Sequence, residues 1–103
     1  MIRVNILYPA GHRFDFKYYL ERHMPMAIEK LGAALKGVSV ERGVSGARPE
    51  DKPAYIAQCH LLFESADAFY AAFMPVAGAL QGDIPNYTDA TPVIQISNVE
   101  MVR

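Results

Sequence analysis

The sequence predicts an α+β domain with a ferredoxin-like βαββαβ element order, in which a four-stranded antiparallel sheet carries both helices on one face. Three observations point to it. Four segments alternate their side chains with the period of a strand, and two longer ones repeat apolar residues every three or four positions. The halves also echo each other: Met24-Pro25 in the first helical segment returns as Met74-Pro75 in the second.

In chain order, Ile2, Val4, Ile6 and Tyr8 share one parity and Arg3, Asn5 and Leu7 the other, which makes strand one Ile2 to Tyr8. Pro9-Ala10-Gly11 breaks the pattern. Asp15 can then cap a helix whose apolar stripe runs Phe16, Tyr19, Leu20, His23, Ala27 and Leu31. Pro25 lacks the helical N–H and disfavours helical geometry at Met24, so a kink or restart is expected there, with Gly32 and Gly37 bracketing the helix end. Val38, Val40 and Val44 mark strand two, Lys36 to Ser45. A polar loop with Pro49 and Pro53 follows. Tyr55, Ala57, Cys59, Leu61 and Phe63 then alternate with Ile56, Gln58, His60 and Leu62, a third strand with both faces at least partly covered. Ser65 caps a second helix with the stripe Phe69, Phe73, Val76 and Leu80. The polar loop Gly82 to Asp89 leads into strand four, about Pro92 to Val102.

Two helices cover one sheet face only. The other would carry Leu7, Ile56, Leu62 and Val93 beside Gln58, His60 and Gln95, and a second copy packed there would withdraw its apolar part from water. A homodimer is therefore expected. Length and composition narrow the rest, since 103 residues hold one domain, 1–103, with one core. A net charge of -1 without any basic block argues against a nucleic-acid face. A single cysteine excludes a disulfide framework and any multi-thiolate metal site. No apolar run approaches the roughly 18 residues of a membrane span, and the N-terminal segment lacks a signal-peptide layout, so a soluble, cytoplasmic protein without a membrane partner is expected. The three histidines lack zinc-site spacing and the glycines form no nucleotide-binding pattern, so no metal or cofactor is expected.

Two stretches carry a family resemblance: Phe14-Asp15-Phe16-Lys17-Tyr18-Tyr19-Leu20-Glu21-Arg22-His23-Met24-Pro25, and Gly82-Asp83-Ile84-Pro85-Asn86-Tyr87-Thr88-Asp89 followed by Pro92-Val93-Ile94-Gln95-Ile96-Ser97. Together they resemble the EthD family, named for ethyl tert-butyl ether degradation, and the likeness covers nearly the whole chain. The tyrosine pair followed by His-Met-Pro is its most specific part. The resemblance implies a dimeric α+β barrel, a superfamily that includes cofactor-free monooxygenases, muconolactone-type isomerases and polyketide-modifying enzymes.

His23 is the candidate catalytic residue. An imidazole in an apolar stripe beside a helix break can face a cavity and move protons near neutral pH; equally, it can be a core histidine bound to a carbonyl freed by Pro25. Tyr18 and Tyr19 can offer phenol donors to a substrate or serve as ordinary aromatic core, and because neighbours on a helix point about 100° apart only one, Tyr19, is well placed to share the histidine's space. Asp83, Asn86, Tyr87 and Asp89 can form a polar lid that binds substrate or orients His23, or simply make side-chain turns. His60 is assigned a structural or interface role and Cys59 that of a small buried hydrophobe. Two functions compete on this reading. One is a cofactor-free enzyme (isomerase, cyclase, dehydratase or oxygenase) acting on a small hydrophobic carbonyl, lactone or phenolic compound, and the other a non-catalytic carrier of a hydrophobic metabolite accessory to a degradation pathway. Haem binding through His23 follows from superfamily analogy alone.

Overall fold

The computed structural model describes residues 1–103 and places strands at Ile2–Pro9 (β1), Gly37–Arg42 (β2), Tyr55–Phe63 (β3) and Val93–Asn98 (β4). They form one sheet in the order β2-β3-β1-β4 with every neighbouring pair antiparallel, which is the ferredoxin-like arrangement. Register confirms the expected parity. Leu7 lies opposite Gln58 and Val93, and Asn5 opposite His60 and Gln95, so the mixed face lies away from the helices. Ile2, Val4, Tyr8, Ala57, Cys59, Leu61 and Phe63 are buried on the other side.

Both outer strands are shorter than their patterns suggest. β2 ends at Arg42 rather than Ser45 because Gly43 crosses the third strand closely: its N–H donates to the Ile56 carbonyl at 2.9 Å, and a Cβ there would stand 2.2 Å from the Tyr55 carbonyl oxygen. Only glycine fits that crossing. Strand β4 ends at Asn98 rather than Val102 because its ladder on β1 runs out at the pair Ile2 and Asn98. A strand lasts only as long as its partner.

The first helix, 16–31, is composite. Asp15 caps it, accepting from the Tyr18 N–H at 3.0 Å, as expected. Pro25 then acts one turn upstream, since it supplies no N–H and its ring would collide with the carbonyl four residues back. The chain widens into a π-turn, Tyr19–His23, in which the Met24 N–H reaches back to the Tyr19 carbonyl, before α-helix resumes at Met24–Leu31. The widened turn corrects the expected stripe. Leu20 is 51% exposed, whereas Met24 joins Tyr19, His23, Ala27 and Leu31 among the buried residues. Gly32, with φ +67°, ends the helix. Its counterpart runs from Ala66–Phe73, capped by Ser65, through a tight 3₁₀ turn at Met74–Val76 to Ala77–Gly82. Phe69 and Leu80 of its stripe are buried, and Phe73 and Val76 half-buried. No helix is long and apolar enough to cross a membrane.

Candidate functional site

Between the helices and the sheet lies a cavity of about 290 Å³, walled mostly by apolar side chains. Val4, Ile6, Leu61 and Ile96 form its sheet wall and Ala27, Leu31, Phe69 and Phe73 its helical one. Ile94 and Tyr70 line it yet remain 58% and 48% exposed, so its mouth opens between β4 and the second helix. Polar groups are few: His23, Tyr8, Tyr19 and Tyr87 cluster together, and Gln81 and Tyr70 come from the second helix.

The π-turn delivers two of them. Tyr19 and His23 stack with ring centroids 5.3 Å apart and planes 14° from parallel, while the Tyr87 ring packs 4.7 Å from the imidazole on a tilted approach. Packed against two rings that also pack on each other, the imidazole has little freedom to turn. Its Nδ1–H donates to Asp83 Oδ2 at 2.9 Å. The other carboxylate oxygen, Oδ1, accepts from the Tyr18 hydroxyl at 2.6 Å and from Asn86 Nδ2 at 2.8 Å. A carboxylate has only acceptors to offer, so Nδ1 carries the proton and Nε2 keeps its lone pair. That nitrogen has no partner in the chain and is not sealed from the cavity.

Burial by itself would raise the Asp83 carboxyl, but hydrogen bonds from Tyr18, Asn86 and His23 outweigh it and hold it below the usual carboxylate range. It is therefore ionised at neutral pH. Hydrogen bonding to that carboxylate raises the Tyr18 phenol in turn, keeping it a donor. Deep burial pushes the Tyr19 and Tyr87 phenols far above their ordinary values and that of Tyr8 upward as well. All three stay protonated. Burial likewise pushes the Cys59 thiol up, which suits a cavity-wall hydrophobe better than a nucleophile.

The loop that brings Asp83 here is anchored to the segment before the first helix. Asp15 N–H donates to the Tyr87 carbonyl at 2.8 Å, Thr88 Oγ1 donates to the Arg13 carbonyl at 2.6 Å, and Asp89 accepts from the Arg13 N–H at 3.0 Å. Residues sixty apart in sequence are thereby held in one constellation.

His23, Tyr19 and Tyr87 thus line the cavity, whereas Tyr18 does not and reaches Asp83 from outside it. Asp83 stands behind the imidazole, and Asp89 is engaged with Arg13 and His12 instead. His60 lies across the sheet, with Nδ1 2.7 Å from Asn5 Oδ1 and Nε2 3.2 Å from Gln58 Oε1. Tyr8 is a polar residue of the site that the sequence pattern did not single out. A tyrosine on the core-facing parity of β1 was its one signal, which any core tyrosine would give.

The EthD domain family model matches residues 9–91, which include every residue of the histidine, tyrosine and aspartate constellation except Tyr8. The chain is similar over 99% of its length to an EthD-like protein from Ralstonia eutropha, at 45% identity and TM-score 0.94, covering 94% of that chain. An ethyl tert-butyl ether degradation (EthD) family protein from Bacillus halodurans has 15% identity and TM-score 0.69, over 96% of this chain and 98% of that one. HapK from Hahella chejuensis has 14% identity and TM-score 0.58, over 100% and 97%. Those two likenesses concern the fold alone. No curated protein matches the chain.

Proposed function

The chain belongs to the EthD domain family, and from that premise we propose that it is a cofactor-free acid–base enzyme for a small hydrophobic carbonyl, lactone or phenolic compound. The observation that carries this reading is the free lone pair of His23 Nε2 beside a largely apolar cavity, with Nδ1–H held by an ionised Asp83. A base needs an accessible lone pair, a fixed tautomer and a countercharge for the imidazolium it becomes; this arrangement supplies all three. His23 is the catalytic residue. Asp83, with Tyr18 and Asn86 behind it, positions the imidazole, while Tyr19 and Tyr87 meet the substrate.

The natural readout is the proton itself. Cyclic ketones and lactones incubated with the protein in deuterium oxide are expected to exchange hydrogen next to the carbonyl faster than in buffer, followed by NMR. Compounds that bind without any faster exchange would establish the competing reading, a carrier of a hydrophobic metabolite serving a degradation pathway.

We also propose a homodimer. Leu7, Ile56 and Leu62 on the helix-free face are only partly covered, and Val93 is 50% exposed, which a second sheet packed there would relieve. Light scattering at low micromolar concentration should give twice 11.4 kDa, and replacing Leu62 with Glu should shift the population toward monomer. A wild-type monomer under those conditions would refute the interface.

A further inference from the structure

The acid–base reading gives roles to His23, Asp83, Tyr19 and Tyr87 but leaves a third buried phenol of the cavity, Tyr8, without one. Its hydroxyl lies 2.9 Å from that of Tyr87, and its ring meets those of Tyr87 and Tyr19 edge-on, both at 5.9 Å between centroids. The side chain is 3% exposed, on a rigid central strand of the sheet, and lines the cavity.

We infer that Tyr8 is a second catalytic residue, the hydrogen-bond donor to the substrate oxygen on which negative charge develops when His23 removes a proton. This rests on the acid–base reading above. The balance is simple: the C–H pair becomes a C=C bond, the carbonyl π pair moves to oxygen, and the proton goes to Nε2. Returning that proton to a different carbon gives an isomer and regenerates the imidazole, so no oxidant or co-reactant is needed.

Three features support the assignment. A hydroxyl has one proton to give and two lone pairs to receive. Either hydroxyl of the Tyr8–Tyr87 pair can donate; when Tyr87 does, the Tyr8 proton is free for a ligand, and charge drawn onto Tyr8 is shared with Tyr87. Burial raises the Tyr8 phenol, so it keeps its proton and stays a donor at neutral pH. Finally, no lysine or arginine lines the cavity, so negative charge developing on a substrate oxygen there has only neutral donors to meet it. An oxygen that becomes charged only during the reaction needs a neutral donor already in place, and a phenol in an apolar pocket is such a donor.

4-Nitrophenolate and 4-nitrotoluene separate this role from mere packing, since they share a ring and differ in the charged oxygen. Titrated at a pH where the free phenol is already ionised, so that His23 has no proton to take, the wild-type protein should bind both. Tyr8→Phe should weaken 4-nitrophenolate at least tenfold while 4-nitrotoluene stays within about twofold, and the same split should appear in a His23→Gln background. Should Tyr8→Phe fold poorly, Tyr87→Phe decides, with a selective loss of about threefold or more for the phenolate. Equal losses for both compounds, no loss for either, or failure of the wild-type protein to bind 4-nitrophenolate would overturn the inference. If the selective loss is seen but carbonyl compounds fail to exchange hydrogen, the base assignment falls and the donor assignment stands.

Discussion

Replacing His23 with Gln is expected to lower turnover ~10²–10⁴-fold, the range for losing a positioned acid–base group, while the fold survives. Glutamine is close in size, and its amide N–H can still donate to Asp83 Oδ2, now 2.9 Å from Nδ1. The carboxylate thus keeps a partner in a half-buried place. Proton acceptance is lost, because an amide is not a base at neutral pH. The competing outcome is equally definite. Were the imidazole there for structure, the same change would leave turnover intact and lower stability by roughly 1–3 kcal/mol, as for a disrupted buried polar group. Thermal melts and single-turnover kinetics on the two proteins separate the cases.

Asp83→Asn should cost nearly as much, by another route. Its Oδ1 already accepts from the Tyr18 hydroxyl and Asn86 Nδ2, which hold the amide oxygen of the new side chain on that side. The amide N–H₂ then faces His23 Nδ1. Nδ1 must become the acceptor, the ring proton moves to Nε2, and the lone pair leaves the cavity. A loss of up to ~10⁴-fold in kcat is the magnitude expected when a catalytic histidine is held in its wrong tautomer. Nitrogen-15 NMR of the imidazole would show the exchange of protonated nitrogens directly; an unchanged tautomer with unchanged turnover would remove Asp83 from the mechanism. Its pH signature has a definite sign. The folded carboxyl lies below its ordinary value of 3.8, so the stabilisation it gives is complete above that value and disappears as pH falls through the lower, folded one. Wild-type stability should therefore decline in that acid window, and the decline should be smaller in Asp83→Asn.

Much of the scaffold was legible because the signals are local. The alternation in Tyr55 to Phe63 marks a strand whatever surrounds it, and Asp15 and Ser65 cap helices with their own side chains. The parity of β1 and β3 placed Gln58 and His60 on the helix-free face correctly, since a one-residue slip would have turned every buried residue outward. Strand ends were not legible. Gly43 stops β2 because a backbone carbonyl from another segment stands where its side chain would be, and β4 stops where β1 ceases to offer partners. Neither cause is written near the residue it affects.

The site divides along the same line. His23 and the tyrosine pair stood out in sequence, as did the acidic loop, but their division of labour did not: Tyr19 enters the cavity while Tyr18 braces Asp83 from outside, and Tyr8 joins the phenols through its bond to Tyr87 unannounced. The two Met-Pro steps give the reason. Each removes the same backbone N–H, so local chemistry determines that both helices must depart from α geometry. Yet the first widens into a π-turn and the second tightens into a 3₁₀ turn. The difference lies in what each turn packs against. Tyr19, at the start of the widened turn, is clamped by the rings of Tyr8, Phe14 and Tyr87, while Met74, at the start of the tight one, is 66% exposed. The sequence by itself determined that the helix breaks beside His23; the packing of aromatic rings from β1, from the segment before the helix and from the distant acidic loop decided that the break widens, which is what turns the imidazole into the cavity.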